Sequence, residues 1–318
     1  MECGVGSWDE LLYGNHRFVV DVAGPGQHSS GGKTAHRINL PWRRQDQDPA
    51  SVDVVIVSEK TGTRVRNVMV EEANREAGSI VFEPIDGPGT YFVYYLPYAM
   101  VGKPHYPQAQ YLPHRPSAEP GWVAGVERSA WVPAKSVLPQ ATVVRYEAAS
   151  QRDSFAPMNF TARADELDEL HSRHAGQAFL LFPEDRLNPV SMQRDLPAHW
   201  AINGPSDTFA VTAEPGEDYV VQVGLYALED LHGVTVDVIP RAGGHCLNTD
   251  GEDRHGKPWR RKLNVPAGTV QALYVILPVP QESAGTTITA TIAVIASGQA
   301  TQEVEVRLDV ADESDADP

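Results

Sequence analysis

The sequence predicts an all-β fold: two antiparallel β-sandwich domains, the second immunoglobulin-like, joined by a short helix and an irregular connector. Three observations lead to this prediction. The chain has 318 residues, which suits two domains that each bury a core. Its 25 prolines and 26 glycines are evenly spread, which favours many short strands separated by turns. Short runs of strand type recur from about residue 14 to residue 310.

The N-terminal domain is predicted over residues 1–182. Residues 99–140 are rich in proline and aromatic residues, which predicts a long irregular loop packed on the sandwich. Residues 163–174 have two leucines at helical spacing and opposite charges three or four positions apart, which predicts a helix. A short buried strand over residues 178–182 closes the domain. The other predicted strands are 14–22, 34–40, 51–58, 65–71, 79–83, 90–96 and 142–147.

The second domain is predicted over residues 204–310, after an irregular connector at 183–203. About seven strands separated by turns are typical of an immunoglobulin-like sandwich. The last residues, 311–318, are acidic and predict a linker or tail. The predicted strands are 209–213, 219–227, 234–239, 262–265, 271–279, 286–296 and 301–310.

Composition excludes several classes of partner. The formal net charge of −16 argues against nucleic acid and against an anionic membrane surface. No apolar run approaches the roughly 18 residues of a membrane-spanning helix. The first residues lack the basic and apolar regions of a secretory signal, so we expect a cytoplasmic location unless an export signal was removed. Two cysteines, Cys3 and Cys246, cannot form a disulfide framework.

The sequence contains none of the common catalytic motifs. Phosphate-binding glycine loops, a GxSxG nucleophile elbow, HExxH and CxxC are all absent, and we expect no cofactor. The acidic pairs at 165–166 and 168–169 lie on the predicted helix, where adjacent side chains point in different directions. They therefore indicate a solvated helix surface. Glycoside hydrolysis needs carboxyl groups that flank a sugar in a pocket, and no stretch of the sequence predicts such a pocket.

One polar stretch partly resembles a calcium loop, with oxygen side chains at alternate positions and a glycine for the turn. Trp259 occupies the position where that loop needs a bidentate glutamate, so the stretch is interpreted as a polar turn in preference to a metal site. The spacing of His245, Cys246 and His255 fits no standard zinc site. The weak calcium candidates are Asn248, Asp250 and Asp253.

Residues 39–49, NLPWRRQDQDP, form the main candidate site. In one interpretation the arginines pair with the aspartates across a bend while the tryptophan plugs the sandwich edge. In the other, the tryptophan stacks on a sugar and the charged groups bind its hydroxyls. The sequence favours the structural clasp or a domain interface, with the tryptophan and arginines partly exposed. The candidate ligand or interface residues are Trp42, Arg43, Arg44, Asp46, Asp48, Tyr98 and Trp122.

Short motifs follow one another in a characteristic order along most of the chain. In the first half they are Gly14-Asn15-His16-Arg17, Pro41-Trp42-Arg43-Arg44-Gln45-Asp46 with Pro49, Gly89-Thr90-Tyr91, and Tyr94-Tyr95-Leu96-Pro97-Tyr98. In the second half they are Phe182-Pro183-Glu184-Asp185-Arg186, Gly204-Pro205-Ser206-Asp207, Cys246-Leu247-Asn248-Thr249 with Gly251, Val265-Pro266-Ala267-Gly268, and Val270-Gln271-Ala272-Leu273. Together they resemble the N-terminal region of bacterial glycoside-hydrolase-like proteins related to glycoside hydrolase family 123.

The resemblance implies two β domains ahead of a (β/α)₈ catalytic barrel. Family 123 enzymes are exo-acting β-N-acetylgalactosaminidases that use an Asp-Glu pair in the barrel together with the acetamido group of the substrate. We expect this chain to stop where the barrel would begin, so no catalytic residue carries over and the chain alone is expected to be inactive. The expected partners are the barrel of the same polypeptide and carbohydrate.

Two alternatives from other classes remain open at the level of sequence. The chain could be a stand-alone carbohydrate-binding protein that uses the aromatic residues between 91 and 131, which glycan binding would reveal. It could also be a protein-binding, adhesin-like module, for which an exposed apolar patch without a sugar-sized groove would be evidence.

Overall fold

The structure, a computed structural model, describes residues 3–24, 27–28, 34–43, 51–95, 97–103, 105–130, 138–154, 157–240 and 244–312. The chain divides into two compact units, Met1–Phe155 and Ala156–Pro318. Each unit consists mainly of antiparallel β-sheet with a few short helices, so the predicted all-β sandwich class is confirmed. No helix in the described part of the chain has the length and apolar character needed to cross a membrane.

The first unit contains two main sheets and a separate hairpin. Its elements are β1 (Cys3–Val5), α1 (Glu10–Tyr13), β2 (His16–Val22), β3 (Gln27–His28), β4 (Thr34–Leu40), β5 (Val54–Ser58), β6 (Val68–Ala73), β7 (Gly78–Phe82), β8 (Gly89–Tyr95), β9 (Tyr98–Lys103), β10 (Tyr106–Tyr111), α2 (Pro120–Ala130) and β11 (Thr142–Ala148). One sheet has the order β1-β11-β2-β8-β5, the other has the order β3-β4-β7-β6, and β9 pairs with β10.

The core of the first unit lies between these two sheets because side chains alternate along each strand. Phe18 of β2 packs on Tyr95 of β8, with ring centroids 5.1 Å apart. Phe82 of β7 meets Tyr91 of β8 edge to face at 5.4 Å, which joins the second sheet to the first. Arg17, one position before Phe18, lies on the opposite face of β2.

The segment predicted as a long irregular loop, residues 99–140, contains more regular structure than expected. Strands β9 and β10 form a hairpin with six residue pairs, and α2 follows. Pro120 is compatible with this helix because it occupies the first position, where the missing N–H has no intrahelical partner. The buried face of α2 packs on Ala35 and Val81 of the second sheet. The prediction that prolines prevent regular structure over most of this span is therefore wrong.

The second unit is a sandwich of a four-stranded and a five-stranded sheet, with the orders β12-β14-β20-β16 and β13-β22-β21-β15-β19, and a small hairpin β17-β18. Its elements are α3 (Ala164–Arg173), β12 (Phe179–Glu184), α4 (Ala198–Asn203), β13 (Thr208–Ala213), β14 (Asp218–Ala227), β15 (Leu231–Ile239), β16 (His245–Cys246), β17 (Asp250–Glu252), β18 (Pro258–Arg260), β19 (Leu263–Val265), β20 (Val270–Pro278), β21 (Thr287–Ile295) and β22 (Gln302–Val310).

Strands predicted from alternation appear in both units, with ends shifted by up to three residues. In β22 the inward residues Val304, Val306 and Leu308 are buried while the intervening charged residues are exposed. The predicted helix is present as α3, where the Arg163 backbone N–H donates to the Glu166 carboxylate at 2.9 Å. Such a bond satisfies one of the free N–H groups at a helix start.

The division of the chain differs from the boundary that the sequence predicts in the connector 183–203. Helix α3 and strand β12 belong to the second unit instead of the first. Leu170 of α3 and Trp200 of α4 share a buried cluster with Phe182 of β12 and Tyr226 of β14. The two helices therefore cover the four-stranded sheet of the second sandwich, a tertiary contact that strand periodicity does not reveal.

Candidate functional site

Trp42 lies just after β4, and its ring enters the interior of the first unit. It is 1% exposed. Its indole N–H donates to the backbone carbonyl of Asn74 at 2.7 Å, and its ring stacks on Tyr95 with centroids 5.7 Å apart. Gly78 makes room for the ring, since an added Cβ would collide with it. The expectation that Trp42 is partly exposed is therefore wrong, and the ring has no face open to a sugar.

Arg43 makes the turn that follows the buried tryptophan. Its φ of 46° lies in the left-handed region, where non-glycine residues are uncommon. Its backbone N–H donates to the carbonyl of Glu76 at 3.0 Å, which holds the turn against β7 and its preceding loop. Arg44, Asp46 and Asp48 lie outside the described residues, so the predicted pairing of the arginines with the aspartates stays a prediction.

The two remaining aromatic candidates lie in different environments. Trp122 is buried in α2, 3% exposed, and its indole N–H donates to the carbonyl of Thr34 at 3.3 Å. Its interpretation as a ligand-contacting ring is therefore wrong. Tyr98 is half-buried and its hydroxyl donates to the side-chain oxygen of Asn15 at 2.8 Å. The structure thus places these rings in internal contacts instead of on one exposed surface.

Arg17 of β2 is a buried cation enclosed by aromatic rings. Its guanidinium lies 3.7 Å from the centroid of Phe92 and 4.5 Å from that of Trp8. It donates to Glu147 of β11 at 2.7 Å and to the Tyr94 hydroxyl at 3.0 Å. These contacts replace the hydration that a buried guanidinium loses.

The Glu147 carboxylate is fixed in its ionised state. Burial raises the pKa of this carboxyl, but hydrogen bonds from Arg145 and Arg17 outweigh burial and hold the pKa below its ordinary value. Burial raises the pKa of the neighbouring Tyr94 hydroxyl. A general acid or base needs a pKa near the working pH, so the lowered pKa of Glu147 suits a structural ion pair and not proton transfer.

A second polar cluster ties the start of β2 to the segment after β11. The side-chain amide of Asn15 donates to Asp153 at 2.7 Å, and the Ser150 hydroxyl donates to the other oxygen of the same carboxylate. The His16 ring nitrogen Nε2 lies 2.8 Å from the Asp153 carbonyl oxygen. The Tyr98 hydroxyl also donates to Asn15. The polar groups of this half-buried cluster therefore hydrogen-bond to one another and hold the two segments together.

The motifs of the first half of the chain therefore meet in space. Residues 14–17 and the tryptophan after β4 both contact residues 94–98, although up to about 80 positions separate them. Three contacts make the connection: Arg17 with Tyr94, Trp42 with Tyr95, and Asn15 with Tyr98. These contacts pack the motifs against one another beside strand β8 of the five-stranded sheet.

The second unit has a similar arrangement around Trp200. Its ring stacks on Phe182 with centroids 4.7 Å apart and lies over Gly224, where an added Cβ would collide with it. The indole N–H donates to the buried carboxylate of Glu184 at 2.6 Å. His199 approaches the same oxygen at 3.3 Å. The Phe-Pro-Glu motif thus anchors α4 to the sheet.

Arg186, in the same motif, forms a clasp at the edge of the sandwich. Its guanidinium donates to both oxygens of Glu217, at 2.9 and 3.2 Å, and lies 4.3 Å from the ring centroid of Tyr219. Hydrogen bonds to Glu217 and Tyr219 raise the pKa of Arg186. Burial raises the pKa of Glu217, but the hydrogen bonds from Arg186 and from the Glu214 backbone N–H, together with the charge of Arg186, outweigh burial and lower the pKa overall.

The weak calcium candidates direct their oxygens at backbone N–H groups of their own loop and of the sheet. Asn248 accepts from the Tyr274 N–H at 2.8 Å, and Asp250 accepts from the Cys246 N–H at 2.9 Å. Asp253 accepts from the N–H groups of residues 255 and 257. Among the described residues, no group of three His, Cys, Asp or Glu side chains is placed to hold a metal ion. This geometry is that of a polar turn.

Sequence reasoning did not identify the Arg17–Glu147 pair, whose members are 130 positions apart. The only local signal is a charged residue inside an apolar strand, which also fits a solvent-facing position. His36 of β4 is another such case, because the sequence alone does not show that its side chain is fully buried in the core. Neither of its ring nitrogens has a hydrogen-bond partner among the described residues.

The described residues thus define an all-β protein of two units whose motif side chains serve internal packing. Residues 6–149 match the family model of the glycoside hydrolase 123 N-terminal domain. This part of the chain is therefore similar to that domain family, in agreement with the resemblance found in the sequence. No curated protein matches the chain.

Three solved structures show distant similarity to the chain. A family 123 glycoside hydrolase from Clostridium perfringens that hydrolyses glycolipid glycans is 12% identical with a TM-score of 0.32, and the match covers 43% of this chain and 27% of that one. A DUF4466 family protein from Parabacteroides merdae is 13% identical with a TM-score of 0.23, covering 41% and 43%. The VesB protease of Vibrio cholerae is 8% identical with a TM-score of 0.23, covering 97% and 100%. Similarities of this size carry no argument about activity.

Proposed function

We propose that this chain is a non-catalytic accessory region of a glycoside hydrolase and that it supports a (β/α)₈ catalytic barrel in the same polypeptide. The match of residues 6–149 to the glycoside hydrolase 123 N-terminal domain carries the proposal. The packing of the motif residues supports it, because Trp42, Arg17 and Trp200 serve the two cores. These contacts stabilise a scaffold and do not require a substrate in contact with the three side chains.

The ionisation of the engaged carboxylates also supports a non-catalytic role. A glycosidase that acts through general acid catalysis needs a carboxyl group with a raised pKa, so that it can donate a proton to the leaving oxygen. Glu147 and Glu217 have lowered pKa values because arginine side chains hydrogen-bond to them. These two groups are therefore held as anions at neutral pH.

An assay of the purified chain on a panel of aryl glycosides tests this proposal. We expect no release of the aryl group above the rate in buffer, for α- and β-linked hexosides and N-acetylhexosaminides. Turnover that survives repeated purification and is lost on unfolding would show that the chain has its own active site.

The genomic reading frame after the codon for Pro318 provides an independent test of the role in a larger enzyme. A continuous frame that encodes a (β/α)₈ barrel is the expected result. A stop codon at that point, with no barrel elsewhere in the polypeptide, would contradict the accessory role.

We also infer that the second unit is immunoglobulin-like. Its strands β12, β14, β20 and β16 would be A, B, E and D of that fold, in the order in which they pair. Strands β15, β21 and β22 would be C, F and G on the opposite sheet. An experimental structure of this unit would contradict the assignment if the first strand paired with a different neighbour.

A further inference from the structure

The strongest concentration of basic residues lies at residues 254–262, with the sequence RHGKPWRRK. This stretch carries five of the 26 lysines and arginines of the chain and no acidic residue. The chain as a whole has a formal net charge of −16. A short basic segment on an acidic protein is therefore a local feature that overall composition does not explain.

The segment belongs to the small hairpin of the second unit, in which β17 pairs with β18. Asp250, Gly251 and Glu252 stand opposite Arg260, Trp259 and Pro258 respectively. The turn is fixed by its own groups: the Asp253 carboxylate accepts from two backbone N–H groups, and the Asp253 N–H donates to the Lys257 carbonyl at 2.9 Å. The hairpin therefore presents its side chains from a defined backbone.

Trp259 provides an exposed aromatic surface on this hairpin. The opposite residue is Gly251, and a Cβ added there would lie 3.3 Å from the indole ring, so the ring lies across the glycine backbone. The residue as a whole is 36% exposed. Side chains alternate along a strand, so Lys257 and Arg261 lie on the same face as the ring, one on each side.

The cations of the hairpin are largely uncommitted. All residues from 252 to 262 are exposed. Arg260 lies 3.7 Å from Asp237, whereas Arg254, Lys257, Arg261 and Lys262 have no carboxylate within ion-pair distance in the described part of the chain. Arg254 instead donates to the His255 ring at 3.0 Å. An exposed ring flanked by unpaired cations is a chemically complementary surface for an anionic ring-shaped ligand.

We propose that the β17-β18 hairpin binds an anionic saccharide, with a sugar ring on Trp259 and its sulfate or carboxylate groups on Lys257 and Arg261. The apolar C–H face of a pyranose packs on an aromatic ring, and a guanidinium forms bidentate bonds to such anions. The net negative charge of the whole chain opposes a long polyanion such as a nucleic acid more than a short saccharide whose anionic groups contact only the hairpin. The choice of a saccharide rests on the proposed accessory role in a glycoside hydrolase.

Isothermal titration of the full chain with a chondroitin sulfate hexasaccharide tests this site, with maltohexaose and a single-stranded oligothymidylate as comparison ligands. We expect binding of the sulfated hexasaccharide that weakens with added salt, and much weaker binding of both comparison ligands. Absence of binding to the sulfated hexasaccharide at low salt would overturn the proposal. Equal or tighter binding of the oligothymidylate would assign the hairpin to nucleic acid instead.

Two variants locate the binding on the hairpin. Trp259→Ala should weaken binding about 10-fold through loss of the ring contact. The double variant Lys257→Gln/Arg261→Gln should weaken it about 10-fold or more at low salt and flatten the salt dependence. Circular dichroism confirms that each variant is folded. Unchanged affinity in both folded variants would remove the hairpin from the site.

A matched double variant, Lys60→Gln/Arg194→Gln, removes the same charge from two exposed cations outside the hairpin. This control variant should leave the affinity for the sulfated hexasaccharide unchanged. A loss of affinity equal to that of Lys257→Gln/Arg261→Gln would show that only the net charge of the chain matters. If the saccharide does not bind and the chain shows no glycosidase turnover, the hairpin proposal is contradicted and the accessory role is not. Turnover by the chain contradicts the accessory role whether or not the saccharide binds.

Discussion

The first unit buries a charge at Arg17 by surrounding it with groups that replace water. Among the described residues, only Glu147 supplies an opposite charge to the guanidinium, whose N–H groups donate to it, while the rings of Phe92 and Trp8 lie against the guanidinium carbon. Arg145 contacts the same carboxylate from a half-exposed position, where its side chain is 53% exposed. The two arginines therefore share one partner but differ in their access to solvent.

Replacing Arg17 with Gln should lower the free energy of unfolding by about 3 kcal/mol, because the buried Glu147 carboxylate would lose its inner partner. Arg145→Gln is the matched control and should cost less than about 1 kcal/mol, since water screens its ion pair. Urea unfolding at pH 7 measures both. Equal losses in the two variants would contradict the distinction between them.

His36 should make the stability of the first unit depend on pH. Burial lowers its pKa below the ordinary value of 6.5. Near pH 6.5 the unfolded chain therefore binds a proton at this histidine while the folded chain does not. The contribution of the neutral His36 to the free energy of unfolding is fully present above that pH and is lost as the pH falls. The backbone neighbour of His36 across the sheet is Phe82, which offers no charge to compensate protonation.

Urea unfolding at pH 7.5 and at pH 5.5 tests this expectation with the variant His36→Leu. The wild-type chain should lose more stability over this interval than the variant, because leucine does not titrate. His174→Gln, which removes a histidine with a lowered pKa from the second unit, is the control and should keep the pH dependence of the first. An undiminished loss in His36→Leu would show that other groups cause it.

Individual side-chain positions explain where sequence reasoning stopped. The alternating burial of β2 follows from its apolar pattern, yet the pattern does not say that Arg17 meets a carboxylate 130 positions away. Charged neighbours around Trp42 indicated a surface position. The ring is buried because Gly78, in another strand, leaves space for it, and this depends on the register of strands distant in sequence.

At the scale of elements, each unit anchors a tryptophan against a strand glycine. Trp42 covers Gly78 of β7, and Trp200 covers Gly224 of β14. In both cases the indole N–H has a defined acceptor, a backbone carbonyl for Trp42 and the Glu184 carboxylate for Trp200. Because glycine has no side chain, the indole ring can contact the backbone of the strand directly. A larger residue at the same position would hold the ring further from the sheet.

Gly78→Ala should therefore lower the free energy of unfolding of the first unit by about 1–3 kcal/mol, through collision with the Trp42 ring. Gly121→Ala, in α2 of the same unit, is the control because no atom lies within 4 Å of the added methyl group. It should be neutral or stabilising by up to about 1 kcal/mol, as alanine favours a helix over glycine. A stabilised Gly78→Ala variant would show that the ring moves aside freely.

Element identity was largely predictable where one periodicity dominated, as in β22 and α3. The helix α2 was not, because its segment follows several prolines and begins with one. Proline at the first helical position is compatible with a helix. Counting Pro120 among the residues that prevent regular structure was therefore wrong. Burial of Trp122 and Val126 against the sheet then stabilises a helix that local sequence only weakly predicts.

For the whole molecule, the sequence predicted the fold class and the family that the first part resembles, but not the division between units. The boundary lies between Phe155 and Ala156, before the helix that the sequence pattern assigns to the first domain. The reason is that α3 completes a buried cluster with α4 and β12. Which sheet a short helix covers depends on contacts between distant segments and is not encoded in its own amphipathic pattern.

Separate cores predict separate local stabilities. Gly78→Ala perturbs a ring inside the first unit, and Gly224→Ala perturbs a ring inside the second. Hydrogen exchange followed by mass spectrometry should show faster exchange in peptides from residues 51–95 for the first variant and from residues 179–227 for the second. Each variant should leave the peptides of the other unit unchanged, since proteins open in contiguous cooperative regions. Faster exchange throughout both units in either variant would mean that the two cores unfold as one cooperative structure.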